Sequence, residues 1–399
     1  MLLQIQTPEP ARPAADDGPA LWRLGFRPFY LLGAAFAAVG VPLWVVFYAG
    51  AARAPAGLPA HLWHSHEMVF GFAVAIIAGF LFTAVRNWTN LPTPRGARLA
   101  ALAALWLAVR VAYLAGAPGL AFALELAFLA LVAFALLAVL VRARNRRNYF
   151  VGVLFVVLAL ADGAFYAAAT GAWTAFPPDA PVRFALYLVV TLTFVIGGRV
   201  IPMFTANAIR GLSQFRDARL DRAAIAAGVL AFGLELAGAP ALATVPAALA
   251  AAGLHAARLW GWRPLATRAR PILWILHAGY AWICVGFVML AAAGAGLVAR
   301  PLALHAFALG AVGGLVIGMI TRTALGHTGR MLTAGRSETT MYVLVQLAAL
   351  ARVFGPLLLP QAALGWVEAS AALWCAAFAV YLVAYWPKLS RPRVDGQPG

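Results

Sequence analysis

The sequence predicts an all-α, polytopic membrane protein of about 12 transmembrane helices with both termini cytoplasmic. Three observations lead there. Of 399 residues, 64% are hydrophobic and only 11% are charged, and the mean hydropathy is +0.86. Soluble domains carry about 25% charged residues, so a water-soluble enzyme is excluded. Apolar stretches long enough to cross a hydrocarbon core recur along the whole chain. Basic residues fall in small groups between them, as topology signals do.

Spans are predicted at 29–49, 64–85, 97–115, 119–141, 149–170 and 182–204, then at 221–238, 241–257, 271–293, 301–321, 339–358 and 363–386. Their edges carry chain-breaking residues. Pro118-Gly119 opens the fourth, Pro177-Pro178 precedes the sixth, and Gly238-Ala239-Pro240 separates the seventh from the eighth; Pro271, Pro301 and Pro387 mark the ninth, tenth and last. The organisation is a cytoplasmic N-terminal segment over 1–28, a single transmembrane helical domain over 29–387 and a cytoplasmic tail over 388–399. Residues 1–20 lack the basic region, short apolar core and small-residue cleavage site of a signal peptide, so the first span is expected to be an uncleaved anchor.

Orientation follows from counting. The ends and the even-numbered connections hold 25 of the 30 cationic residues, among them Arg12, Arg23, Arg27, Arg86, Arg142, Arg199 and Lys388; Arg53, Arg110, Arg183, Arg300 and Arg352 make up the rest. The positive-inside rule puts the rich side in the cytoplasm. This distribution also explains the net charge of +17 without nucleic acid, which would call for a clustered phosphate-binding surface. The partner it implies is the lipid bilayer. Cys284 and Cys375 lie in separate apolar stretches, so no disulfide framework or CxxC motif exists. Glu67, Glu125, Asp162, Glu235 and Glu368 fall inside spans, where an ionisable group costs at least about 2.5 kcal/mol at the centre and needs a partner or a cavity. No internal or inverted repeat is visible, so the usual pointer to a secondary transporter is missing.

Hydrolase and nucleotide signatures are absent, and His66-Glu67 lacks the second histidine of HExxH. What remains is histidine. His61, His64 and His66 crowd the start of the second span, followed by Glu67 and Met68. On a helix, His61, His64 and Met68 share a face and His66 points elsewhere. Neutral imidazole suits haem iron, copper and zinc, and a thioether suits copper(I). Interfacial packing at headgroup level is the competing explanation, strongest for His61. His305 lies about four residues inside the tenth span, roughly 6 Å deep, which matches His64 and His66. His277 lies about 9 Å in from the opposite face. About 15 Å along the membrane normal would separate His277 from His305, too far for one metal, so two sites are needed if both bind. His327 is placed to join His277, and His255 reads as structural. Gly310, Gly314 and Gly318 form a small-residue stripe suited to close helix packing, or to the face of a macrocycle. Arg110 and Arg352 are placed to pair with Glu125, Glu235 or Glu368, or to hold a cofactor carboxylate such as a haem propionate.

Several segments together resemble the NnrS family. They are Phe26-Arg27-Pro28-Phe29, Trp63-His64-Ser65-His66-Glu67-Met68 with Phe70-Gly71-Phe72, and Gly79-Phe80-Leu81-Phe82-Thr83-Ala84-Val85 leading to Asn87-Trp88-Thr89. Arg199-Val200-Ile201-Pro202-Met203-Phe204, His277-Ala278-Gly279-Tyr280 and Thr321-Arg322 through Gly326-His327-Thr328-Gly329-Arg330 continue the likeness nearly to the end. The family pattern often has proline before Asn-Trp-Thr, where this chain has Arg86. The resemblance implies a bacterial inner-membrane protein containing haem and copper, associated with denitrification and nitrosative stress, with nitric oxide as a small gaseous ligand and a redox donor as a further partner. It carries over His64, His66, Glu67, His277, His305, His327, Arg27 and Arg199, without saying which metal each serves. Two other classes stay open: a proton- or metal-ion-coupled transporter, and a non-enzymatic nitric oxide sensor.

Overall fold

The computed structural model describes residues 18–397. Arg12 and most of the N-terminal segment lie outside the described residues. Twelve long helices follow one another: α1 (Phe26–Tyr48), α2 (Ala60–Thr89), α3 (Ala97–Leu114), α4 (Pro118–Arg142), α5 (Phe150–Ala169), α6 (Asp179–Ala208), α7 (Ala218–Leu236), α8 (Ala241–Gly261), α9 (Pro271–Gly294), α10 (Arg300–His327), α11 (Arg336–Leu358) and α12 (Ala363–Leu389). Each predicted span falls on one of them.

Eleven are long and apolar enough to cross a membrane. The exception is α7, predicted as a span, whose 19 residues include Arg219, Asp221, Arg222 and Glu235. Its first turn is capped by Asp217, whose carboxylate accepts from the Arg219 and Leu220 amides at 2.6 and 3.0 Å. That is a polar helix start of ordinary kind. Elsewhere proline sets the starts: Pro118, Pro271 and Pro301 occupy the first turn of α4, α9 and α10, where the missing N–H has no partner to lose. Asn90, with a left-handed φ of 54°, closes α2 by donating its amide to the Arg86 carbonyl at 2.8 Å.

The packing has a period of four helices that the sequence does not display. The main seams are α12 on α1, α4 on α5 and α8 on α9; within each group of four, the first helix packs on the second and the third on the fourth. The second helix of each group, α2, α6 or α10, turns inward, and the three share the lining of a central chamber. In its most apolar window α2 is 83% buried, against 28% for α8.

Both α2 and α10 widen from α-helix into π-type turns just after their histidines, at Glu67–Ala73 and Ala306–Gly313. Such bulges leave carbonyls without their regular helical donors. In α2 the Gly71 carbonyl accepts from the Trp106 indole of α3 at 3.1 Å. The glycine stripe of α10 serves helix packing. A Cβ at Gly310 would lie 2.4 Å from Trp282, one at Gly314 3.2 Å from Gly279, and one at Gly318 2.8 Å from Leu276, all on α9.

Candidate functional site

One turn of α2 sends two histidines to opposite neighbours, as helical spacing requires. His64 faces His305 of α10: the ring centres are 6.2 Å apart and the planes differ by 11°. Trp44 of α1 stacks on His64 at 4.0 Å. Both pairs have nearly parallel rings, and the two imidazoles are about 2 Å more widely spaced than the Trp44–His64 pair. His305 donates Nδ1–H to the Pro301 carbonyl at 2.7 Å. A carbonyl can only accept, so this bond fixes the tautomer and leaves Nε2 with its lone pair. Arg352 of α11 acts electrostatically on both imidazoles, and its buried Nε has no hydrogen-bond partner. Common depth therefore did bring His64 and His305 together, from chain positions 241 residues apart.

His66 is placed differently. Its Nδ1 meets Glu67 at 3.1 Å and its Nε2 meets Asp162 of α5 at 2.8 Å. Phe70 and Phe165 cover the ring faces, with centres 4.8 and 4.7 Å away. Both nitrogens face carboxylates, so neither offers a lone pair to a metal. Arg110 of α3 continues the network, bridging Glu67 at 3.1 Å and Glu125 of α4. Of the partners open to Arg110 in the sequence, it takes Glu125. All five residues are at most 3% exposed.

The other candidates disperse. His277 approaches Thr205 of α6 at 2.9 Å through Nε2, and its buried Nδ1 has no hydrogen-bond partner. His327 lies against Phe26 of α1, ring centres 5.6 Å apart, so the two sit against different helices. Arg27 is fully buried and donates to the Leu389 and Arg391 carbonyls, each at 2.8 Å, which ties α1 to the end of α12. Arg199 and His61 are exposed, Met68 is half-buried in the π-type segment, and Glu368 is exposed. Glu235 is taken by Arg300 at 3.1 Å and Arg183 at 3.7 Å. His255, read as structural, joins a buried cluster: the Tyr280 hydroxyl lies 2.7 Å from its Nδ1, and Arg258 donates to that hydroxyl at 2.6 Å.

Trp44 and the Asp162 contact were missed in the sequence. Trp44 carried a signal, since it sits near the end of the first span at the level where the second span begins. Nothing local connects Asp162 to a residue 96 positions earlier.

Among the described residues no three His, Cys, Asp or Glu side chains converge to hold a metal ion. The imidazole pair by itself offers two protein donors. The model of the NnrS protein family matches residues 20–393. The chain belongs to the NnrS family. No curated protein matches it. Both histidines of the pair, and the five members of the buried ionic network, fall inside the stretch that the family model matches.

Proposed function

We propose that this member of the NnrS family binds haem between His64 and His305 and acts, as a multi-pass protein of the bacterial inner membrane, in nitric oxide metabolism or nitrosative-stress defence. Family membership supports the link to nitric oxide in general. The observation that carries the metal reading is the separation of the imidazoles. Two metal–nitrogen bonds of about 2 Å each, with roughly 1 Å more from each nitrogen to its ring centre, span about 6 Å. The ring centres are 6.2 Å apart.

The donor set favours haem over a bare ion. Two imidazoles leave a zinc site short of its usual four donors, whereas a porphyrin brings four nitrogens of its own. The residues present divide the work of holding it. Pro301 orients His305 through the Nδ1–H bond, and Trp44 fixes the plane of His64. The unpartnered Arg352 Nε offers a charge-assisted hydrogen bond to a propionate. A haem held by two imidazoles supplies a one-electron redox centre beside the lipid, within reach of a neutral gas and a redox donor. Copper is the second metal that the family likeness implies, and His277, with its free Nδ1, is the candidate ligand.

Absorption spectra and metal analysis of the full chain purified from haem-replete cells test this. A Soret band is expected in the wild type, perturbed by nitric oxide and lost in His64→Ala and His305→Ala. A wild type without that band, or two variants that keep it unchanged, overturns the reading.

A further inference from the structure

We propose that the central chamber bounded by α2, α6 and α10 is a binding site for a small apolar gas, distinct from the imidazole pair. The identity of that gas as nitric oxide rests on the function proposed above. The chamber has a volume of about 110 Å³ and is partly open rather than enclosed, since Ile77, Phe80, Leu192, Ile196, Val316 and Met319 are only half-buried. An enclosed apolar cavity of about 150 Å³ engineered in another protein takes up benzene or xenon, so the space here is in the size range for a xenon atom or a diatomic molecule.

Its walls decide the class of ligand. Ile76 and Phe80 of α2, Leu192 and Ile196 of α6, and Val316 and Met319 of α10 face it. Only two lining side chains carry a hydroxyl, and both are engaged: Thr193 donates to the Val189 carbonyl at 2.7 Å, and Tyr30 shares a hydrogen bond with Thr323 at 3.1 Å. An internal water needs two to four polar partners, so water is disfavoured there. An ion would meet no counter-charge. A neutral molecule that partitions into the bilayer has neither difficulty.

Position gives the chamber its use. Its first lining residue on α2, Ala73, follows His64 by nine residues, and Val312 on α10 follows His305 by seven. Along a regular α-helix such intervals would be about 14 and about 10 Å, and the π-type turns they run through make them shorter. The same two helices therefore carry the imidazoles at one level and the chamber below, with the π-type segments running from the histidines into its lining. A gas collected in the chamber is held at raised local concentration beside the imidazole pair.

Crystals of the full chain pressurised with xenon test this through anomalous scattering. A peak is expected inside the chamber, lost in Leu192→Trp, whose indole fills the space, and weakened in the wild type when nitric oxide is added under the same xenon pressure. No peak in the wild type, a lipid chain in the chamber instead, or a peak that nitric oxide leaves unchanged overturns the proposal. The competition uses wild-type protein alone, so a variant that fails to fold does not weaken it. If xenon binds and nitric oxide displaces it while the protein shows no haem absorption, the metal reading fails and the chamber stands.

Discussion

His64 and His66 are two residues apart on α2, yet their surroundings are opposite in sign. Around His64 are another imidazole, an arginine and an indole, with no carboxylate among the contacts described. Around His66 are two carboxylates, with an arginine and a third carboxylate beyond. An imidazole whose nitrogens both meet carboxylates is committed to holding charge in place. One that keeps a lone pair beside a second imidazole is available to a metal. Histidine count alone therefore does not separate the two kinds of site in this bundle; the presence or absence of acids packed against each ring does.

The comparison breaks most readily at Arg110. Its removal strands Glu67 and Glu125 in the bundle interior, and uncompensating a buried pair costs about 3–5 kcal/mol. Arg110→Ala is expected to lower the thermal transition in detergent sharply, or to prevent accumulation of the protein. A variant that melts with the wild type would show that water reaches these carboxylates.

Next in size is the contrast between the histidines. His66→Gln forfeits hydrogen bonds to charged partners worth about 1.5–3 kcal/mol each, so it should destabilise the fold while the Soret band per folded molecule is kept. His64→Gln should do the reverse, with little loss of stability and no band. Circular dichroism melts paired with absorption spectra read both. If the two variants exchange phenotypes, His66 is the ligand and the assignment is inverted.

How much of this was legible from residues alone depends on the range of the interaction. All twelve helices were, because hydrophobic run length is a local property and Pro118, Pro271 and Pro301 stand where the helices begin. The meeting of His64 with His305 was partly legible, since depth along a span can be counted at a fixed rise per residue. Rotation about the axis was less so. The π-type turns at Glu67–Ala73 and Ala306–Gly313 shift the helical phase below each histidine, and no residue pattern announces them. Depth alone also grouped His66 with the other two, whereas Asp162 lies on α5 and becomes a neighbour only through the seam between α4 and α5. For Arg110 the sequence offered Glu125, Glu235 or Glu368 without choosing; the choice of Glu125, and the addition of Glu67, come from the packing of α3 against α2 and α4.

A smaller effect tests whether the His64 environment is organised for a ligand. Aromatic stacking beyond area burial is worth about 0.5–1.5 kcal/mol, so Trp44→Leu should weaken haem retention by about 2- to 13-fold without removing the band. Haem transfer to apomyoglobin gives the dissociation rate. An unchanged rate would mean that Trp44 only packs.

The smallest expected effect uses an exposed ion pair as the counterpart of the buried network. Arg393 donates to Asp395 at 2.6 and 2.9 Å, and these bonds hold the Asp395 carboxyl below its usual 3.8, at about 2. The tail they shape is tied to the end of α10, with the Val394 amide donating to the Thr328 carbonyl at 3.2 Å and Arg393 to that of His327 at 3.3 Å. A lowered folded-state value contributes stability in full above the ordinary aspartate range and loses it as pH falls toward the folded value. Exchange of the Val394 amide, corrected for intrinsic rate, should therefore stay level from neutral pH to about 4 and rise between about 4 and 2. Salt at about 1 M should raise it at neutral pH too, because exposed charges are screened over about 3 Å at that strength, while the interior of the Arg110 network is shielded from salt. Exchange that ignores both acid and salt would show that the pair only decorates a tail held by its backbone bonds, as many surface pairs do.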